Sequence, residues 1–251
     1  MINKIFSFVK QEIKKISIKY FFLLIKDKKL LSRNSNYMQA FSSYKNKFNR
    51  VVLVGAGSSI NKFQKIDNAV YIGVNRSFLS EKVKLDYLFA QDKFPEGMKE
   101  ANNYKKGECK KFYGVIPYST RYLQNFVLNT FGPDDEDVKE ADAALYFLKP
   151  GFFHNIEQNL DKKPFGDLKG TVFTALQFAL YAGAKEIYLV GCDCSSGHFY
   201  SDQKKMLNYQ IKIWEQMKKI VSKKYPNVKI FSVNPVNLKG MFEDIYQSPE
   251  E

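Results

Sequence analysis

The sequence predicts an α/β protein: one doubly wound parallel sheet, preceded by an N-terminal amphipathic helix. Three observations lead there. Short apolar runs of strand length alternate with segments of helical spacing. The runs close on glycine turns or on polar pairs such as Asn75-Arg76 and Gln91-Asp92. The first 31 residues carry a separate, cationic periodicity of three and four.

Taken in order, Val51-Val52-Leu53-Val54 reads as a buried parallel strand feeding the turn Gly55-Ala56-Gly57-Ser58-Ser59. Ala69–Val74 is a second strand, Asp86–Ala90 a third and Lys110–Ile116 a fourth. The stretch 119–168 reads as mostly helical or looped, with the acidic run Asp134–Asp137 as a solvated turn. Thr171–Ala182 has helical spacing (Val172, Ala175, Leu176, Ala179, Leu180), and Gly183 is placed to end it. Glu186–Val190 is a strand that stops at Gly191-Cys192-Asp193. A long helix follows over about Gln203–Lys224, then a last strand, Val228–Val233, running into Asn234-Pro235. This alternation is Rossmann-like.

The chain of 251 residues is 45% hydrophobic and 16% aromatic, enough for one domain with a core over 50–251 and incompatible with disorder. Three cysteines, an odd number, exclude a disulfide scaffold and fit a reducing cytoplasm. The net charge of +13 is unevenly spread: residues 1–50 hold 12 Lys and Arg against Glu12 and Asp27. The rest of the chain is nearly neutral, which argues against a nucleic-acid-binding body.

In the arm, residues 1–31, apolar side chains recur at Ile2, Ile5, Val9, Ile13, Ile16, Tyr20 and Leu23, with lysines mostly off the stripe. The longest apolar run, Tyr20–Ile25, is far too short to cross a bilayer, and no secretory cleavage pattern follows it. Such a helix lies in the interface of an anionic membrane, or docks on the body or on a second subunit. Residues 32–49 read as a linker whose aromatics (Tyr37, Phe41, Tyr44, Phe48) could pack on the body.

Ligands of doubly wound sheets bind beyond the carboxyl ends of the strands. That places the candidate site at Gly55–Ser59, Asn75-Arg76, Gln91-Asp92, Asp193–His198 and Asn234. The glycine turn lacks the third glycine of a dinucleotide fingerprint and the lysine of a P-loop. It is expected to let backbone approach a ligand, with amides facing an anion. Asn75 offers a donor and an acceptor to a base or ribose edge. Arg76 can pair with phosphate, and Asp92 can orient an acceptor hydroxyl or cap a helix. His198 can act as a general base near neutral pH, whereas His154 reads as structural or lid-like. Cys192-Asp193-Cys194 has the wrong spacing for zinc, and no metal site is expected.

Gly55-Ala56-Gly57-Ser58-Ser59-Ile60, Asn75-Arg76-Ser77-Phe78 and Lys185–Asp193 resemble segments of the small bacterial sialyltransferases of glycosyltransferase family 42. Val228–Phe242, with Asn234-Pro235 and Asn237-Leu238, looks like their last strand and helix. With Gly170-Thr171-Val172 added, the same segments resemble the MptE-like domain, found in motility-associated flagellin glycosyltransferases and in a pterin pyrophosphokinase. The first resemblance implies a CMP-sugar donor, metal-independent inverting transfer and a histidine base. It implies Gly57, Ser58 and Asn75 at the nucleotide, Thr171 at the donor, and a loop tyrosine assisting the departing phosphate, whose nearest counterpart, displaced by a residue or so, is Tyr200. The chain departs from that pattern in three places, one being that His198 comes much earlier than the family's base. Leu168-Lys169-Gly170-Thr171 stands where the family carries an arginine motif, and the loop holding His198 is shorter than the family's lid.

The resulting expectation is a cytoplasmic nucleotide-sugar glycosyltransferase, peripheral on the inner face of the membrane. It would act on a bacterial surface glycan or lipid-linked acceptor, with no cofactor beyond the donor. Gly55, Gly57, Ser58, Asn75, Arg76, Lys169, Thr171 and Asp193 would surround the nucleotide, with His198 or Asp92 taking the acceptor proton and Tyr200 or Lys169 meeting the leaving phosphate. The alternatives are a Mg-dependent pyrophosphokinase with Asp92 and Asp193 as metal carboxylates, and a non-catalytic nucleotide- or glycan-binding assembly subunit. A homo-oligomer joined through the arm is a further expectation.

Overall fold

The computed structural model describes residues 18–29, 41–91, 93, 97–115, 131, 143–149, 156–166, 170–195, 198–199 and 206–247. Its centre is a parallel sheet. In chain order the strands are β1 (Arg50–Val54), β2 (Val70–Val74), β3 (Tyr87–Ala90), β4 (Lys110–Val115), β5 (Ala143–Lys149), β6 (Phe165–Gly166), β7 (Glu186–Val190), β8 (Lys229–Val233) and β9 (Glu243–Ile245). They lie in the order β6-β5-β4-β3-β2-β1-β7-β8-β9, every neighbouring pair parallel. The architecture is the Rossmann-like doubly wound α/β sheet that the sequence predicts. The helices described are α1 (residues 18–29), α2 (Met98–Asn103), α3 (Thr171–Tyr181) and α4 (Asn208–Lys224).

β1 is the hinge of the topology, with Val51 paired to Val70 of β2 on one side and to Ile187 of β7 on the other. Its apolar run has no polar face because both sides are covered. Val51 and Leu53 enter the core under α3 and α4, while Val52 and Val54 enter the opposite core with Ile60, Phe63 and Phe78. Burying each such side chain contributes roughly 1.5–3 kcal/mol, so the centre of the sheet anchors the fold.

α3 is buried on nearly every side, only Val172 among its eleven residues being half-exposed. Segment 41–49 accounts for that. Phe41 and Tyr44 are core residues, and the Phe48 amide donates to Ala182 O at 2.7 Å. Phe178 of α3 sits among the rings of Phe41, Tyr44, Phe48, Tyr87, Phe89 and Phe112, with centroids 5.2–5.9 Å away. The packed alternative for these aromatics therefore holds at Phe41, Tyr44 and Phe48, and residues 41–49 belong to the body; Tyr37 lies outside the described residues. Gly183, at φ +88°, ends α3 with the Ala184 amide reaching back to Ala179 O, and a Cβ there would lie 2.7 Å from Asn46 Cα.

The structure differs from the sequence expectation in four places. β5 and β6 lie in the stretch expected to be helical or looped; Ala143-Ala144-Leu145-Tyr146-Phe147-Leu148 is a short apolar run that periodicity alone does not tell from a buried helix, and it is extended in pairing with β4. α4 starts at Asn208 rather than near Gln203. Met206 first bridges Ser195, and the Leu207 amide donates to Cys194 O. Val228–Val233 is not the last strand. Residues 236–242 form turns rather than a helix, and β9 follows beside β8. The run Asp134–Asp137 and residues 1–17 lie outside the described residues.

Candidate functional site

The strand order reverses direction between β1 and β7, and there the two chains leave the sheet in contact. The Gly55 amide donates to Val190 O and the Gly57 amide to Gly191 O, both at 2.8 Å. A Cβ on Gly55 would sit 2.3 Å from Gly191 O, and one on Gly57 would sit 2.5 Å from the Asp193 carboxyl carbon. Gly191 itself takes φ +63°. Asp193, buried, then closes the turn: Oδ2 accepts from the Ser59 amide at 2.9 Å and from the Ser58 hydroxyl at 3.3 Å, and Oδ1 accepts from the Ser59 hydroxyl. Asn237 Nδ2 holds the Asp193 carbonyl at 2.8 Å.

This lock corrects the sequence reading of the glycine turn. Gly55 and Gly57 are small because two strand ends cross, and their amides face carbonyls of the next strand rather than an anion. Ser58 and Asp193 bind each other across the crossing. Gly55, Ala56, Gly57 and Asp193 nevertheless form one wall of a cavity of about 450 Å³ at the carboxyl ends of the strands.

The facing wall is built differently. Asn75 leaves β2 at φ +48°, a conformation that asparagine tolerates better than most residues. Its Oδ1 accepts from the Gln91 amide at 3.4 Å and from the Thr171 hydroxyl at 3.2 Å. The Gln91 N–H requires the oxygen on that side, so Nδ2 is turned the other way, and among the described residues it has no acceptor. Behind it Gln91 Nε2 donates to Thr174 at 2.7 Å, and Gln91 Oε1, 3.3 Å from the Thr171 hydroxyl, is an alternative acceptor for its single proton. Thr171 thus orients Asn75 with its side chain, while its backbone opens α3 at the cavity.

Two helix starts converge on this space. α3 begins after Gly170 and α4 after Leu207, and neither cap residue puts a side-chain acceptor on the first-turn amides. Thr171 and Val172 from one helix and Tyr209 and Gln210 from the other line the cavity. Uncapped amides and the positive ends of two helix dipoles favour an anion. Arg76, Lys93 and His198 add cationic or protonatable side chains. Burial, and then the positive charge of Arg76, hold the His198 imidazole below its ordinary 6.5, so the neutral ring that can accept a proton prevails at pH 7.

Of the residues expected at the site, Gly55, Gly57, Asn75, Arg76, Thr171, Asp193 and His198 line the cavity, whereas Ser58 stands behind its wall, bonded to Asp193. Asp92, Tyr200, Lys169 and His154 lie outside the described residues. Gln91, expected at the site, stands behind the wall rather than lining the cavity; Lys93, Tyr209, Gln210 and Trp214 line it and were not expected there. Gln91 stood at a strand end in the sequence, but nothing marked its bond to Thr174; Tyr209 and Gln210 were hidden by a helix start placed too early. The cysteines offer no thiolate: burial pushes the Cys194 thiol up to about 12 and the Cys192 thiol still higher.

No family model matches the chain, and no curated protein matches it. Among solved structures it is similar to the MAf glycosyltransferase from Magnetospirillum magneticum AMB-1, with 14% identity over 86% of this chain and a TM-score of 0.43. The chain spans 38% of that protein's length. It is also similar to the sialyltransferase CstII from Campylobacter jejuni in complex with cytidine-5'-monophosphate, with 13% identity, 74% of this chain and 80% of that one, and a TM-score of 0.39. The sialyltransferase CST-II in complex with a trisaccharide acceptor and CMP gives 12% identity, 81% and 89% coverage and a TM-score of 0.43.

Proposed function

We propose that the chain is a nucleotide-sugar-dependent glycosyltransferase, sialyltransferase-like, that takes a CMP-linked donor and transfers its sugar with inversion to a hydroxyl of a bacterial surface glycan. The observation that carries this reading is the cavity at the β1–β7 crossing. It joins the Asn75 Nδ2 donor, two uncapped helix starts and the cations Arg76 and Lys93 in about 450 Å³, a volume in the range of small-ligand sites. The resemblance of the segments around Gly55, Asn75 and Gly191 to sialyltransferase segments supports the choice of donor.

In this mechanism Asn75 Nδ2 donates to the nucleotide, and the α3 and α4 amides with Arg76 meet the phosphate. As the bond from the anomeric carbon to the phosphate oxygen breaks, the electron pair leaves with the nucleotide. The charge that develops there falls beside preorganised donors. The acceptor oxygen bonds to the anomeric carbon and gives its proton to His198 Nε2 or Nδ1, or to Asp92. Tyr200 and Lys169 are further candidates for the leaving phosphate. No step calls on a divalent metal.

A thermal-shift series with CMP, CDP, UDP, GDP, ADP and ATP, each with Mg²⁺ and with EDTA, tests the reading. A ligand at about 100 times its Kd stabilises the fold by about 2.7 kcal/mol. Stabilisation by CMP that survives EDTA is expected. Stabilisation by ATP only with Mg²⁺ would replace the transferase with a pyrophosphokinase.

A further inference from the structure

α1 distributes its side chains unlike any other helix described. Ile18, Phe21, Phe22 and Ile25 fall within an arc of about 100° at 3.6 residues per turn, and with Leu24 beside them they are 42–60% exposed. The opposite face holds half-buried Tyr20 and Leu23 and the buried Asp27. The helix is thus seated through one face and presents a second apolar face outward. Lys29 falls within that arc at the helix's last residue, Lys19 and Lys26 border the face on one side and Lys28 lies on the other, all exposed. By contrast α4 buries Trp214, Met217 and Val221 on its inner face, as a helix on a folded body ordinarily does.

We propose that the outer face of α1 seats the protein in the headgroup region of an anionic bilayer leaflet, the helix lying in the membrane plane. Charge complementarity selects this occupant. Residues 1–50 hold 12 Lys and Arg against Glu12 and Asp27, and Asp27 is turned inward and buried. The exposed surface of α1 therefore carries an apolar stripe and lysines but no carboxylate. Such a surface matches acyl chains below and anionic headgroups at its edges, where lysines extend along apolar surface to reach negative charge. No helix among the described residues is long and apolar enough to cross a membrane, which fits an in-plane seat. The inference stands apart from the transferase reading, since it uses none of the residues of the cavity.

Co-sedimentation of the full chain with phosphatidylcholine vesicles and with phosphatidylcholine–phosphatidylglycerol vesicles tests it. Binding to the anionic vesicles at least tenfold tighter than to the neutral ones is expected, and it should weaken with salt. Phe21→Ser with Phe22→Ser, and separately Lys19→Glu with Lys26→Glu and Lys28→Glu, should each weaken it by about a hundredfold. Melting temperature and CMP stabilisation should be unchanged in both, which separates failure here from failure of the transferase reading. Absence of binding to anionic vesicles, or variants that bind like the parent, would overturn the proposal. So would a dimer that Phe21→Ser with Phe22→Ser dissolves in a chain that ignores vesicles, which would assign the face to a second copy.

Discussion

The two walls of the cavity use their polar groups in opposite ways. In the β1–β7 wall every notable donor is answered from within: Gly55 by Val190, Gly57 by Gly191, and Ser58 and Ser59 by Asp193. In the facing wall, the Asn75 oxygen accepts from Gln91 and Thr171, while its Nδ2 has no acceptor among the described residues of a wall that lines the cavity. A glycine-rich strand end here marks where two strands cross, and an asparagine at the end of the neighbouring strand puts a polar side chain on the cavity. Substitutions in the first wall should therefore act on the fold, and substitutions in the second on affinity.

The largest effect expected is that of Gly55→Ala. Its Cβ would stand 2.3 Å from a backbone oxygen that the parallel pairing of β1 with β7 holds in place. Overpacking against backbone should cost about 3 kcal/mol or more. For a chain of this length that lowers the melting temperature by about 10 °C. A variant that melts within about 2 °C of the parent would show that the crossing is not rigid.

Asn75→Asp should come next, and it acts on the other wall. Aspartate keeps an acceptor for the Gln91 amide and the Thr171 hydroxyl and tolerates φ +48°, so stability should change by less than about 1 kcal/mol. It replaces the Nδ2 donor with a negative oxygen facing an anion-favouring cavity. The affinity for CMP, read by titration calorimetry, should fall at least about tenfold. Loss of stability with affinity unchanged would reverse the assignment of the two walls.

How far the sequence could anticipate these walls follows from the kind of signal each part carries. β1, β2 and β7 are apolar on both faces, so their runs are legible without knowing the partners. β5 is an apolar run too, but without β-branched residues it fits a buried helix as well, and its pairing with β4 decides. Asn75 was legible as a polar residue ending a strand. The lock was not, since Ser59 and Asp193 are 134 residues apart and only the crossing of two strand ends brings them together. The contribution of α4 was lost for a similar reason: the bridge from Met206 to Ser195 delays its first turn until Tyr209 and Gln210 reach the cavity.

The smallest effect expected is electrostatic, and it belongs to the cavity side alone. His198 titrates below its ordinary 6.5 because burial disfavours the imidazolium and, secondarily, because Arg76 repels it. Both causes act against the charged form, so the ring stays neutral as the pH falls through 6.5 and gains its proton only further down. Its ring-proton NMR titration, assigned against His154 with His198→Gln, should have its midpoint below 6.5. Arg76→Gln should raise that midpoint but leave it under 6.5, since burial, the larger cause, remains. Bound CMP should raise it as well, because a phosphate anion offsets the arginine. Ser59→Ala, which loosens the lock without adding or removing a charge, should leave the titration where it was. In the transferase reading the acid limb of kcat/KM follows the same order of midpoints. A His198 midpoint above 6.5 in the free protein, or one that Arg76→Gln lowers, would mean that Arg76 and His198 do not share the wall that gives the cavity its charge.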